Sequence, residues 1–82
     1  MQKLDILQRL DGNSFRLLAF LSIQADDYGT IHNYTSEYIQ FIQDELNIGY
    51  QTAYKCLRTL EKEKMIERHG QKHYLKLLER LF

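Results

Sequence analysis

The stretch that decides the fold is ELNIGYQTAYKCLRTLEKEKMIERHG, residues 45–70. Near its start, Asn47 and Gly49 interrupt the helical spacing, and asparagine tolerates the left-handed conformation that a tight helix exit needs. Apolar residues then recur at helical spacing between residues 50 and 64. These residues are Ala53, Leu57 and Leu60, with Cys56 beside them. The spacing therefore predicts a tight turn followed by an amphipathic helix whose other sides are polar.

After this helix, the apolar pattern changes from helical to alternating. Residues 65–69 and residues 73–77 alternate apolar and polar side chains, and Gly70 lies in the short segment between them. Two alternating segments around a glycine turn are typical of a β-hairpin. The sequence therefore predicts that a hairpin follows the helix directly.

A buried helix, a turn and a small strand are predicted further upstream. Residues 15–24 are apolar on nearly every side, which indicates a buried helix, and Asn13 or Ser14 can cap its start. Residues 26–29, with the sequence DDYG, carry a turn signal. Residues 30–32 are short and β-prone, and we expect a strand there.

A further helix is predicted to begin at Thr35 or Ser36, since either residue can cap a helix start. Glu37 in its first turn suits the positive end of the helix dipole. Its core face is marked by apolar residues that recur every three or four positions: Ile39, Ile42 and Leu46. Only a few residues then separate this helix from the one in residues 50–64.

The composition fits one small soluble globular domain. The chain has 82 residues, of which 44% are apolar and 27% charged, and it lacks proline, internal repeats and low-complexity segments. No apolar run is long enough for a membrane span, and the N-terminus has no signal-peptide core. The single cysteine, Cys56, cannot form an internal disulfide. We therefore expect a cytoplasmic protein with no membrane partner.

The charges are distributed unevenly along the chain. Residues 1–50 carry three basic and seven acidic side chains, whereas residues 51–76 carry seven basic and three acidic ones. The formal net charge of +0 therefore combines an acidic part with a basic one. Such an asymmetry favours a polyanionic partner, and chance clustering on a solvated surface is the alternative.

The order of the predicted elements is helix, small strand, helix, tight turn, helix and hairpin. Two helices joined by a short turn predict a helix-turn-helix, and a hairpin directly after the second helix predicts the winged form. In this arrangement, the apolar line in residues 50–64 packs on the other two helices. The outer face of that helix is then free to enter the major groove of DNA, which is wide enough for one α-helix.

Residues 45–70 resemble the core of winged helix-turn-helix DNA-binding domains, and the resemblance continues over YLKL, residues 74–77. Ahead of the recognition helix, the matching residues are Leu46, Asn47 and Ile48. Within that helix they are Gln51, Thr52, Ala53, Leu57 and Leu60, and at the opening of the wing they are Met65 and Ile66. The resemblance is to the superfamily as a whole, which includes transcriptional regulators and the replication and partition proteins of plasmids and phages.

The resemblance implies a mainly α fold with a small β-hairpin, in which a three-helix core carries a two- or three-stranded wing and short terminal helices. The predicted organisation is a single domain over residues 1–82. It comprises an N-terminal apolar helix in residues 1–12, a helical core in residues 13–64, a wing in residues 65–77 and a C-terminal apolar tail in residues 78–82.

The function that this resemblance implies is sequence-preferring binding of double-stranded DNA. Glutamine can pair with adenine, arginine with guanine, and threonine or tyrosine with phosphate or a thymine methyl group. The candidate contacts on the recognition helix are Tyr50, Gln51, Thr52, Lys55 and Arg58. The candidates near the wing tip are Arg68, His69, Lys72 and His73. An ordinary solvated helix face is the alternative for the first set.

No catalytic or metal-binding constellation accompanies these residues. His69, His73 and Cys56 lack the spacing and the fourth ligand of a zinc site. Asp26 and Asp27 have no accompanying nucleophile pattern, and a turn explains them better. We therefore expect no enzyme activity, no cofactor, no metal and no small-molecule substrate.

The apolar residues at the two ends of the chain exceed what three short helices and a hairpin can cover. Residues 2–10 have the spacing of a short helix, and such a helix is unstable in water unless it packs against another surface. Residues 78–82 are predicted to form a last apolar turn or a short helix. Either both ends cap their own core, or they form a subunit interface. We expect a homodimer that uses Leu4, Leu7, Leu10, Leu78, Leu81 and Phe82.

The sequence leaves three roles open. The leading hypothesis is a dimeric transcriptional repressor, and a DNA-binding protein in plasmid or phage replication or partition is the second. The third is a winged helix that binds only proteins, which the zero net charge permits. A DNA-binding domain cut from a longer chain is a further alternative.

Overall fold

In the computed structural model, which describes residue 8 and residues 10–82, three helices pack against a three-stranded antiparallel sheet. The helices are α1 (Gly12–Gln24), α2 (Ser36–Leu46) and α3 (Tyr50–Lys62), and the strands are β1 (Thr30–His32), β2 (Ile66–His69) and β3 (Tyr74–Leu77). The described part of the chain is thus a small α+β fold, broadly compatible with a helix-turn-helix followed by a hairpin. Within those residues, no helix has the length and apolarity needed to cross a bilayer.

Helix α1 begins directly after Asp11, whose carboxylate accepts a hydrogen bond from the backbone N–H of Ser14 over 2.8 Å. This bond satisfies one of the N–H groups that a helix start leaves without a partner. The helix begins at Gly12, ahead of both residues predicted to cap it. The prediction of Asn13 or Ser14 as the cap is therefore wrong, and Asp11 takes that role.

The turn between α2 and α3 has the predicted form. Asn47 adopts the left-handed conformation with φ 53°, and its N–H donates to the carbonyl of Gln43. Ile48 donates to the same carbonyl over 3.1 Å. Helix α3 ends at Lys62 rather than at residue 64, because Lys64 itself adopts a left-handed conformation with φ 61°.

Strand β3 lies between β1 and β2, so the predicted hairpin and the predicted small strand belong to one sheet. A short 3₁₀ turn, Gly70–Lys72, joins β2 to β3. His73 has a left-handed conformation with φ 57°, which delays the start of β3 by one residue relative to the prediction. The strand at residues 30–32 is confirmed.

Gly29 closes β1 onto β3. Its φ of 77° lies in the left-handed region, and its carbonyl accepts a hydrogen bond from the N–H of Leu77 over 2.7 Å. A Cβ atom at Gly29 would lie 3.2 Å from the Leu77 carbonyl oxygen, closer than side chains normally approach. Conformation and space therefore both favour glycine at this position.

The register of the sheet decides which side chains face the helices. Ile31 pairs with Leu75, and Leu75 pairs with Arg68, so these three side chains share the inner face. His32, Tyr74 and His69 form the next row, on the outer face. Arg68 is therefore directed toward the helices.

The core lies between the three helices and the inner face of the sheet. Helix α3 contacts α1, α2 and β2, and it supplies the central part of this core. The fully buried side chains of the helices include Leu17, Leu18, Leu21, Ile42, Ala53, Leu57 and Leu60, and those of the segment after α3 include Met65, Ile66 and Leu75.

The C-terminal segment, residues 78–82, forms no helix, so of the two predicted forms, an apolar turn or a short helix, the helical one is wrong. Its backbone is held by the core instead: the N–H of Leu78 donates to the Met65 carbonyl over 2.8 Å, and the N–H of Leu81 donates to the Ser22 hydroxyl over 3.1 Å. The predicted N-terminal helix of residues 1–12 falls largely outside the described residues.

The hydroxyl of Tyr38 is buried and has no hydrogen-bond partner among the described residues. Burial raises the pKa of Tyr38 to about 12. Since an unpaired buried hydroxyl costs free energy, we expect Tyr38→Phe to leave the free energy of unfolding unchanged or to raise it by up to about 1 kcal/mol. Urea unfolding followed by circular dichroism measures this change.

Tyr34→Phe is the matched control. Burial raises the pKa of Tyr34, and a side-chain hydrogen bond with Arg68 opposes that rise. Removal of this hydroxyl should lower the free energy of unfolding by about 1 kcal/mol. Equal losses of stability in the two variants would contradict the description of Tyr38.

Candidate nucleic-acid interface

One line of exposed polar side chains runs along the outside of α3. The spacing of these residues, alternately four and three positions, places them on one side of a helix. They are Gln51, Lys55, Arg58 and Lys62, and all four are exposed. The opposite side of α3 carries its buried stripe, Ala53, Cys56, Leu57 and Leu60. Helix α3 is therefore held by one side and presents the other to solvent.

Two tyrosines border this line at the start of α3. The rings of Tyr50 and Tyr54 lie 4.8 Å apart, centroid to centroid, and are tilted by 55°. Together with Gln51, Lys55 and Arg58 they line a shallow surface depression. Planar rings and hydrogen-bonding groups are thus combined on one surface.

Thr52 lies at the edge of the predicted set on α3, beside Lys55. It is half-buried and lines a depression with Asp11 and Asn13, at the start of α1. Thr52 therefore lies at the margin of the outer line, where α1 meets α3.

The cations on α3 differ in their surroundings. The pKa of Asp11 is lowered, first by the hydrogen bond from Ser14 and also by the positive charge of Lys55. The charge of Lys55 is thus partly offset by a neighbouring carboxylate. Arg58 and Lys62 make no hydrogen bond or ion pair within the described part of the chain. Both are free to meet an external anion.

Arg68 bridges the hairpin and α3. Its guanidinium donates to Oε1 of Glu61 over 2.8 Å, and only 22% of its side chain is exposed. This hydrogen bond raises the pKa of Arg68 and lowers the pKa of Glu61. Arg68, a candidate DNA contact, is thus directed inward by the sheet register and is engaged with α3.

The other three predicted hairpin residues lie at or beside the turn. His69 stacks on Tyr74, with ring centroids 4.4 Å apart and 16° between the planes. Lys72 is exposed within the turn. His73 is also exposed, and its carbonyl accepts a hydrogen bond from the N–H of Tyr34 over 2.9 Å. Of the four predicted hairpin residues, Lys72 and His73 are thus the exposed ones.

A cleft of about 450 Å³ separates the first turn of α2 from the hairpin. Its lining residues come from both elements and from α3, and they include Thr35, Ser36, Tyr54, Arg68 and His73. Thr35 occupies the cap position of α2 without a side-chain hydrogen bond to the helix. The positive end of the α2 dipole therefore lies beside this cleft.

Lys62 belongs to the outer line of α3, although it is missing from the contacts predicted from the sequence. Its position four residues after Arg58 places it on the same side of the helix. This spacing is the signal that would have included it.

The predicted dimer residues are dispersed. Leu81 is buried in the core of its own chain, so its prediction as an interface residue is wrong, and Leu10 is half-buried against the same core. Leu78 and Phe82 remain 44% and 68% exposed. Leu4 and Leu7 lie outside the described residues.

Comparison of the chain with protein-family models, with curated proteins and with solved structures finds no match. Within the described part of the chain, no three His, Cys, Asp or Glu side chains are grouped as ligands for a metal ion. The function is therefore inferred from the outer line of α3, the hairpin turn and the cleft between the hairpin and α2.

The bond between Arg68 and Glu61 makes the stability of the hairpin depend on pH. The folded-state pKa of Glu61 lies below its ordinary value of 4.5, so the stabilisation is present above that pH and is lost as the pH falls through the lowered pKa. At pH 7, Glu61→Gln should lower the free energy of unfolding by about 0.5 kcal/mol, since the pair is partly exposed. The difference from the wild type should shrink toward zero in acid.

Urea unfolding at neutral pH and at about pH 3 measures this difference. Glu45→Gln is the matched control, because Glu45 is exposed on α2 and makes no hydrogen bond or ion pair with the described residues. A loss in Glu61→Gln that is equally large in acid would show that the ion pair is not its cause.

Proposed function

We propose that the chain is a winged helix-turn-helix protein that binds double-stranded DNA by placing α3 in the major groove. The observation that carries the proposal is the outer line of α3, which is polar, mostly cationic and opposite the buried stripe. The major groove admits one α-helix. A helix held by its apolar side can therefore offer this line to base edges and phosphates.

The residues of the line suit different parts of the duplex. Gln51 can pair with the N6 and N7 edge of adenine, and Arg58 with the O6 and N7 edge of guanine. Lys55 and Lys62 are suited to phosphate contacts, because a phosphate oxygen accepts a hydrogen bond from an ammonium group whatever the base sequence. Tyr50 is suited to a phosphate or a thymine methyl group.

The hairpin takes the role of the wing in this proposal. Lys72 and His73 contact the phosphate backbone beside the groove, and Arg68 acts by fixing the wing to α3 through Glu61.

The charge distribution supports the same orientation. Residues 51–76, which form most of α3 and the hairpin, carry seven basic and three acidic side chains. The acidic residues are concentrated in residues 1–50, and those of α2, Glu37, Asp44 and Glu45, lie on a different helix from the outer line of α3.

The biological role that we propose is transcriptional repression by a homodimer, without a catalytic step. A dimer would place two recognition helices about 34 Å apart, one turn of DNA. The terminal segments remain the proposed contact between subunits, with Leu78 and Phe82 as the exposed members of that set. DNA binding in plasmid or phage replication or partition uses the same surface and is the alternative role.

Fluorescence anisotropy with labelled duplexes tests DNA binding. Binding of the dimer to a selected site should weaken about ten-thousandfold between about 50 and 200 mM salt if each protomer contacts about four phosphates, about eight in all. Random duplex should bind more weakly than the selected site. Absence of binding to any duplex at low salt would contradict the proposal and favour a module that binds only proteins.

Substitutions separate base contacts from phosphate contacts. Gln51→Ala and Arg58→Ala should each cost about 1–3 kcal/mol on the selected site and relax base preference at one position. Lys72→Ala should weaken selected and random duplexes alike, because a phosphate contact carries no sequence information. If Lys72→Ala changed the base preference while Gln51→Ala did not, α3 would not be the reading element.

Light scattering after size exclusion tests the dimer. We expect about twice the monomer mass of 9.9 kDa for the wild type and the monomer mass for Phe82→Ser, which removes an exposed apolar side chain. Leu81→Ser is the control, since its main effect should be a loss of stability of about 2 kcal/mol or more from the core. A mass near 9.9 kDa for the wild type at micromolar concentration would contradict the dimer.

A further inference from the structure

An apolar surface lies across α1 and α2, on residues that the proposed DNA contact does not use. The rings of Phe20 on α1 and Phe41 on α2 lie 5.6 Å apart, and Phe41 lies 5.7 Å from the ring of Tyr38. Ile23 follows Phe20 by three positions and therefore occupies the same side of α1. We call these four residues the α1–α2 aromatic face: Phe20, Ile23, Tyr38 and Phe41.

Much of this surface is open to solvent. Ile23 is 67% exposed and Phe41 is 39% exposed, whereas Phe20 and Tyr38 are half-buried beside them. Single exposed apolar side chains are ordinary, but a contiguous group with aromatic rings is typical of a contact surface.

Acidic side chains border the face along α2. The helical neighbours of Phe41 at positions −4, +3 and +4 are Glu37, Asp44 and Glu45, and all three are exposed. Helix α2, SEYIQFIQDEL, contains no basic residue. The aromatic rings are thus set in a strongly negative surface.

The single cation of α1 does not neutralise this border. Arg16 donates to the carbonyl of Leu46 over 2.8 Å and to the side chain of Asn13 over 3.3 Å. It therefore neutralises the end of α2, where the helix dipole is negative. The carboxylates around Phe41 are left without a cationic partner in the described residues.

We propose that the α1–α2 aromatic face docks a basic amphipathic helix of another protein. Apolar residues of that helix, spaced three and four positions apart, would cover Ile23 and Phe41, and its Lys and Arg side chains would meet Glu37, Asp44 and Glu45. A second copy of this chain is disfavoured as the occupant, because two acidic borders would then oppose each other. DNA is also disfavoured, because its phosphates would be repelled by the same carboxylates.

The inference does not depend on the proposed DNA binding. Because the two surfaces share no residue, a partner on the α1–α2 aromatic face and a duplex on α3 can bind at the same time. Loss of one activity by substitution should therefore leave the other unchanged, and the two proposals can fail separately.

Calorimetric titration of the full chain with two synthetic peptides of about 14 residues tests the inference. Both peptides carry the same leucine stripe, one with Lys and Arg on its flanks and the other with Glu. The basic peptide should bind with micromolar affinity, and the acidic peptide should bind at least about tenfold more weakly. Equal binding of the two peptides, or no binding of either, would overturn the proposal.

Ile23→Ser is the decisive variant, since its side chain is largely exposed and the change should leave the fold intact. This variant should lower the affinity for the basic peptide at least about tenfold. The double charge reversal Glu37→Lys and Glu45→Lys should lower the same affinity by a similar factor. Tyr28→Ser, at another exposed apolar position, is the control and should bind as the wild type does. Wild-type affinity in Ile23→Ser would overturn the proposal, as would a dimer of the wild type that Ile23→Ser alone abolishes.

Discussion

Helix α3 packs against α1, α2 and β2 through one buried stripe. This contact joins the helices to each other and to the sheet. The small side chain of Ala53 lets the helices approach closely, and Leu57 and Leu60 are fully buried in the same stripe. Because every buried side chain of α3 lies on that one side, its outer line is left to polar residues. The same packing that stabilises the fold thus creates the surface proposed to read DNA.

The second constraint is the connection between α3 and the hairpin. Arg68 lies on the inner face of the sheet and donates a hydrogen bond to Glu61, so this contact links the hairpin to α3. In the proposed complex, this contact helps to hold the hairpin turn with Lys72 beside the outer line of α3. The acidic residues of α2 lie elsewhere, and this separation lets one small chain with a net charge of +0 offer two surfaces of opposite sign.

Local patterns predicted most of the fold, because the turn at Asn47, the stripe of α3 and the glycine turn of the hairpin are each encoded within a few residues. Contacts between distant parts of the chain were not predictable in this way. The inward direction of Arg68 depends on the register between two strands, and the burial of Leu81 depends on Ser22 far upstream. For the candidate site, the spacing of the residues predicted the outer face of α3. The difference between Lys72, which is exposed, and Arg68, which is bonded to Glu61, is visible only in the structure.

The central claim is that α3 and the hairpin turn form the DNA-binding surface. The most direct test is a titration of the isotopically labelled chain with a selected duplex, followed through the backbone amide signals in NMR spectra. We expect the largest shifts along the outer line of α3 and around Lys72, with little change on the α1–α2 aromatic face. Shifts centred on that face, with α3 unchanged, would contradict the claim.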